Sequence, residues 1–170
     1  MVNTGTKPTP QLLGDIKLLK ALTEAELAKL ITLGVGATHE AHTNVVIEGE
    51  LSWGLYLILD GTVSILKTNK LTGDHFDVGQ LRAGSFFGEM SLIDDNPRSA
   101  TVRTLTNCEL FYISKEAFLG YLDSSSDLKL RFYLSTVKNL VSRRRELDDN
   151  YVISQYQLWQ TALRKETNAA

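Results

Sequence analysis

Apolar residues fall into three textures along the chain, and the borders between them predict its architecture. Near the start, Leu27, Leu30, Ile31 and Leu33 recur at helical spacing behind Thr23 and Glu26, which stand at the separation of a capping box. Gly34 follows where such a helix would stop, and a second short helix is expected before it, from Leu12 to Leu19. From Val35 to Ser114 the pattern changes to short runs rich in β-branched and aromatic residues, broken by glycine-bearing turns about every 10 residues. That texture predicts a mainly β barrel or sandwich. Asp60-Gly61, between Leu55-Ile58-Leu59 and Val63-Ile65-Leu66, reads as a hairpin, and Gly49, Gly73, Gly79 and Gly84 mark further turns or bulges. The runs His75 to Val78 and Ala100 to Arg103 alternate polar and apolar residues, so each is expected to lay one face on a core and the other in water.

After Ser114 the helical spacing returns. Lys115 to Leu122 predicts a short helix, Asp123 to Ser126 a turn and cap, and a long helix is expected from about Asp127 toward Trp159. Leu130, Tyr133, Val137, Leu140, Arg144, Leu147, Tyr151, Ser154 and Leu158 step by three and four, a heptad seam whose members are apolar or aromatic except for Arg144 and Ser154. A stripe that long cannot be buried against one small β domain, so a parallel homodimer through this helix is expected, a helix folded back on its own domain being the alternative. The domains read as 11–126 for the β domain with its N-terminal helices and 127–160 for the long helix.

Composition narrows the function. A chain of 170 residues with 43% hydrophobic content supports one sizeable core. Its 18 basic and 20 acidic residues are nearly balanced, so no broad positive field favours nucleic acid. The first ten residues lack the apolar stretch of a signal peptide, and no run is long enough for a bilayer. Cys108 is the single cysteine and reads as a buried thiol, which together suggest a cytoplasmic protein with no membrane partner.

The chemistry concentrates in Phe86 to Ala100. Gly88 has no side chain to block close approach, and the residues after it, Glu89, Met90 and Ser91, suit a short helix whose free N–H groups face an anion. Arg98 offers a planar fork for two phosphate oxygens, Ser99 a hydroxyl, Ala100 a backbone N–H, and Glu89 an acceptor for a ribose hydroxyl. His39, His42 and His75 do not assemble with a carboxylate at metal-ligand spacing, no Gly-x-Ser-x-Gly elbow occurs, and Cys108 has no histidine near it in sequence. A binding protein without metal is therefore expected rather than an enzyme.

Gly88-Glu89-Met90-Ser91-Leu92 followed by Arg98-Ser99-Ala100 resembles the phosphate-binding cassette of the cyclic nucleotide-binding domain family, which includes the catabolite activator protein, kinase regulatory subunits and cyclic nucleotide-gated channels. Gly49, Tyr56, Gly61, Gly84 and Phe86 match that family's turn glycines and core aromatics, and the resemblance runs from about Leu12 to Tyr133. It implies a jelly-roll (double-stranded β-helix) barrel flanked by N-terminal helices and a long C-terminal helix. It also implies a cyclic nucleotide ligand whose phosphate meets Arg98 and whose 2′-hydroxyl meets Glu89. In the family the start of the long helix folds over the purine, which singles out Asn139, Arg143 and Arg144; the other reading of Arg143-Arg144-Arg145 is a solvated run answered by Glu146, Asp148 and Asp149. Ser99, where members favouring cGMP often carry threonine, points to cAMP. The residues beyond Trp159 are too few for a helix-turn-helix, so the expectation is a stand-alone sensor that passes movement of its long helix to an effector protein. The alternative is a barrel without ligand, in which Glu89 and Arg98 pair and the dimer serves only as an interaction module.

Overall fold

The computed structural model describes residues 5, 7–52 and 54–167, with side chains described through residue 160. Expectations for the first four residues and the last three lie outside the described residues. The chain divides into two compact units, Met1–Ser135 and Thr136–Ala170.

The first unit opens with two helices, α1 (Pro10–Gly14) and α2 (Glu24–Leu33). Thr9 caps α1 by accepting the Leu12 N–H, and Thr23 and Glu26 close the expected capping box at the head of α2. The helix expected from Leu12 to Leu19 ends instead at Gly14. Beyond it the chain advances in three-residue turns, with Ile16, Leu19 and Leu22 donating to the carbonyls of Leu13, Ile16 and Leu19. Each turn drops an apolar side chain inward, so burial of Ile16, Leu18 and Leu19 outweighs helical regularity.

Eight strands follow: β1 (Val35–His39), β2 (Asn44–Val46), β3 (Gly54–Asp60), β4 (Thr62–Thr68), β5 (His75–Arg82), β6 (Phe86–Phe87), β7 (Thr101–Thr104) and β8 (Cys108–Ser114). They make two four-stranded antiparallel sheets, ordered β1-β8-β3-β6 and β2-β7-β4-β5. The protein is thus mainly β with flanking helices. Asp60-Gly61 is not a hairpin: β3 and β4 belong to different sheets, and this turn carries the chain across from one to the other. Gly61 has φ +92°, and a Cβ there would lie 2.5 Å from the Asn107 carbonyl oxygen and 2.6 Å from Cys108 Sγ, so the crossing is tight because β8 starts beside it. The hairpin of the second sheet is β4–β5, closed by Asn69 to Asp74. There the alternation of His75 to Val78 does not bury a face: β5 is the outermost strand, and Phe76 and Val78 are exposed.

Period-two alternation sorts the core. On β3, Leu55 and Leu57 face a cluster shared with the helices, while Tyr56 and Ile58 face a second cluster with Val46, Val63 and Val102 of the other sheet. Cys108 is buried in that second cluster. After β8, α3 (Lys115–Leu122) is capped by Ser114, and α4 (Ser126–Thr167) begins. The root of α4 belongs to the first unit: Phe132 is 1% exposed and meets Phe118 edge-on at 4.9 Å, and Arg131 pairs with Glu26 at 2.6 Å and Asp127 at 2.7 Å.

The second unit is the remainder of α4, within which Val137, Leu140, Leu147, Tyr151 and Leu158 of the heptad seam are exposed. Arg144 pairs there with Asp148, one turn on, at 2.8 Å. Among the described residues, no helix is long and apolar enough to cross a membrane.

Candidate functional site

The Phe86–Ala100 segment leaves the first sheet at β6 and enters the second at β7, so both sheets fix its ends. Gly88 follows β6 with φ +85°, and a Cβ there would collide with the Gly54 carbonyl oxygen and lie 2.6 Å from Arg98 Nη1. Only glycine satisfies both the backbone and the space. Met90–Leu92 then forms a short 3-10 helix. Ser91 Oγ donates to the Gly88 carbonyl at 2.8 Å and accepts the Gly54 N–H at 3.3 Å, which locks the turn onto β3. Lys115 reaches the Asp94 carbonyl and the Asp95 carboxylate, both at 2.9 Å, and so ties the following loop to α3.

Arg98 points inward and is 6% exposed. Its backbone is held on both sides by the turn after β2: Arg98 N–H donates to Glu50 at 2.9 Å, and Gly49 N–H donates to Arg98 at 2.9 Å. Its guanidinium donates from Nε to Ser52 Oγ at 2.9 Å and from Nη1 to the Gly54 carbonyl at 3.2 Å and Ser91 Oγ at 3.4 Å. The group lies 5.7 Å from the ring centre of Tyr56, which stacks flat on Phe87 at 4.8 Å. Among the described residues, these three hydrogen bonds end on neutral oxygens, and Nη2 takes part in none of them. Burial pulls the Arg98 pKa down, while Tyr56, Tyr112, Glu50 and Glu89 push it back up, and an arginine so placed stays cationic. Burial likewise raises the Tyr56 pKa, so that phenol stays neutral. A buried cation bonded to neutral acceptors is poorly compensated, and an anion is the ligand that would stabilise it most.

The other expected residues are distributed as follows. Glu89 is 5% exposed and lies between Gly88 and the 3-10 helix. Met90 is half exposed, and Ser99 Oγ approaches its sulfur at 3.9 Å. Ala100 is half-buried immediately before β7. Gly88, Glu89, Met90, Ser91, Arg98, Ser99 and Ala100 therefore share one continuous segment, whereas Asn139, Arg143 and Arg144 lie on α4 in the second unit. His39 is in β1, where burial lowers its pKa, His42 occupies a turn with φ +64°, and His75 Nδ1 meets Thr68 Oγ1 at 3.2 Å. No group of three or more metal-ligating side chains occurs among the described residues. Sequence reasoning missed Ser52 and Gly54 as partners of the arginine. They stand 46 and 44 positions away, so no local spacing announces them.

A family model described as "Cyclic nucleotide-binding domain" matches residues 38–125, just over half of the chain and the whole of the Phe86–Ala100 segment. The chain belongs to the cyclic nucleotide-binding domain family. The cAMP-dependent protein kinase regulatory subunit of Mucor circinelloides f. lusitanicus is 32% identical over 119 residues, which is 70% of this chain and 27% of that protein. Among solved structures, the regulatory domain of Toxoplasma gondii PKA crystallised with cAMP matches with TM-score 0.62 and 26% identity, over 66% of this chain and 42% of that one. A cyclic nucleotide-binding domain from Methylobacillus flagellatus shares the fold, with TM-score 0.74 and 23% identity over 84% of each chain. The curated relatives are much longer proteins, of which this chain spans about a quarter.

Proposed function

We propose that this chain is a cyclic nucleotide sensor that prefers cAMP to cGMP, with the cyclic phosphate seated between Arg98, the N–H and hydroxyl of Ser99, the N–H of Ala100 and the backbone around Gly88. The observation that carries the reading is the buried Arg98 guanidinium, hydrogen-bonded to three neutral oxygens. A phosphodiester would supply the countercharge, and the planar fork can bind two of its oxygens. Glu89 accepts the ribose 2′-hydroxyl in this proposal, and Met90 and Ser91 form the turn beneath it. The two sheets close as a jelly-roll barrel around the ligand.

The wider assignment belongs to the same proposal. Asn139, Arg143 and Arg144 are the base-side residues, ligand binding shifts α4 and so signals to an effector protein, and the exposed seam of α4 pairs two copies. A cytoplasmic setting suits the unpaired Cys108 thiol. Titration calorimetry with cAMP and with cGMP tests the core of this reading. Tighter binding of cAMP is expected; equal affinities would remove the preference, and heatless titrations with both would leave the ligand-free module. Amide exchange over 115–147 that does not change on adding cAMP would refute the signalling step.

A further inference from the structure

Two residues outside the Phe86–Ala100 segment hold its exit. Lys67, near the end of β4, places Nζ 2.5 Å from Glu48 Oε1 and also donates to the Ser99 carbonyl. Glu48, just past β2, accepts the Thr68 N–H on its other oxygen at 2.8 Å and donates its own N–H to Thr101 Oγ1 at 2.9 Å. Gly49 and Glu50, the next two residues, are those that clasp the Arg98 backbone.

The topology explains why these groups meet. β7 lies between β2 and β4, with Thr101 opposite Leu66 and Val102 opposite both Val46 and Ile65. β4 continues past the first residue of β7, while the chain leaving β2 at Val46 runs on through Glu48, and Lys67 and Glu48 meet beside the chain as it arrives from Ser99. We propose that Glu48 and Lys67 are positioning residues for the phosphate site, a strap that fixes where the Ser99 hydroxyl and the Ser99 and Ala100 N–H groups stand relative to Arg98. The proposal rests on the cyclic nucleotide reading above.

Ser99 needs such a strap. It is exposed, and among the described residues its hydroxyl makes only the long contact to the Met90 sulfur. Its carbonyl falls two residues before the β7 ladder begins, so a lysine takes the place of a strand partner. Lys67 beside it, helped by the Thr68 N–H, holds the Glu48 carboxyl down to about 2, so that carboxylate stays charged across the working pH range. A donor set fixed before the ligand arrives loses less freedom on binding, and a misplaced one binds the same anion more weakly.

The test uses cAMP and its Rp and Sp phosphorothioates, which replace one or the other exocyclic phosphate oxygen. Lys67→Met and Glu48→Gln should each weaken cAMP about three- to tenfold and change the Rp/Sp affinity ratio, while the unliganded melting temperature moves by about 2–4 °C or less. The double variant should be no weaker than the weaker single one, because either change opens the same strap. Lys67→Arg, which keeps a long cation, should restore both affinity and ratio. Wild-type binding of cAMP with unaltered affinity and ratio in both single variants would overturn the strap and leave the nucleotide reading intact, and additive losses would overturn it too. Failure of the wild type to bind cAMP would remove both.

Discussion

Replacing Arg98 by leucine separates a ligand-binding arginine from a structural one. The change deletes the bonds to Ser52, Gly54 and Ser91 and the contact with Tyr56, but it also removes a cation from a site that is 6% exposed. Lost hydrogen bonds and relieved desolvation act in opposite directions, so the unliganded protein should change in stability by only about 2 kcal/mol or less. In the complex nothing offsets the loss, because the phosphate keeps its charge and its partner is gone. Truncating one side of such a buried pair costs about 2–5 kcal/mol, which is roughly 30-fold to several thousand-fold in affinity. Arg98→Lys should fall between, since an ammonium keeps the charge but cannot span Ser52 and Ser91 while facing two phosphate oxygens. Urea denaturation of the unliganded variants and calorimetric titration with cAMP measure the two quantities separately. A folded leucine variant with wild-type affinity would refute the reasoning, and so would a stability loss as large as the binding loss.

The remaining predictions concern the turn, the root of α4 and the seam. Gly88→Ala forces a side chain into φ +85° and against Gly54 and Arg98, so it should cost about 1–3 kcal/mol in urea denaturation and weaken cAMP at least about tenfold; unchanged values would refute the close-approach argument. Arg131, more than any other group, holds the Glu26 pKa below its ordinary 4.5, so the pair stabilises the fold above that pH and the contribution fades as the pH falls through the lowered value. The acid-side decline in melting temperature should therefore be shallower in Glu26→Gln, and an identical pH profile would show the pair to be inert. Leu147→Asp puts a charge in the seam and should convert a dimer to a monomer by light scattering; a wild-type monomer at micromolar concentration would remove the dimer.

Much of the fold was legible where local chemistry decides it. The Thr23–Glu26 capping box, the return to helix at Lys115 and the long α4 all stand as their side chains require. Gly34 stops α2 as expected, but for a different reason: its φ is −110°, an ordinary value, and it is glycine because any Cβ would strike the Phe111 ring. The Asp60-Gly61 and His75–Val78 readings both failed on what lies beyond the local segment. Turn chemistry and alternation describe a strand and its neighbours in sequence, but not which sheet accepts it or whether a layer covers it. The sheet that β3 joins depends on β8, which pairs with it and arrives about 50 residues later, and the exposure of β5 follows from its outermost place in the second sheet.

The candidate site divides along the same line. A phosphate site built from consecutive backbone N–H groups and the side chains between them has to be written consecutively, so Gly88 to Ala100 could be read as a unit. The groups that hold it need only be adjacent in space. Ser52 reaches Arg98 from one loop, and Lys67, near the end of β4 and paired with Glu48, reaches the Ser99 carbonyl. Many polar residues could serve at those places, so their identity carries no recognisable spacing even though their geometry bears on the same few atoms. It follows that an intact motif states which ligand atoms can be met, while the strength of the meeting is set by residues that no motif contains. Substitutions at Glu48, Ser52 and Lys67 should accordingly tune cAMP affinity over a smaller range than changes at Arg98, without altering which chemical class of ligand is recognised.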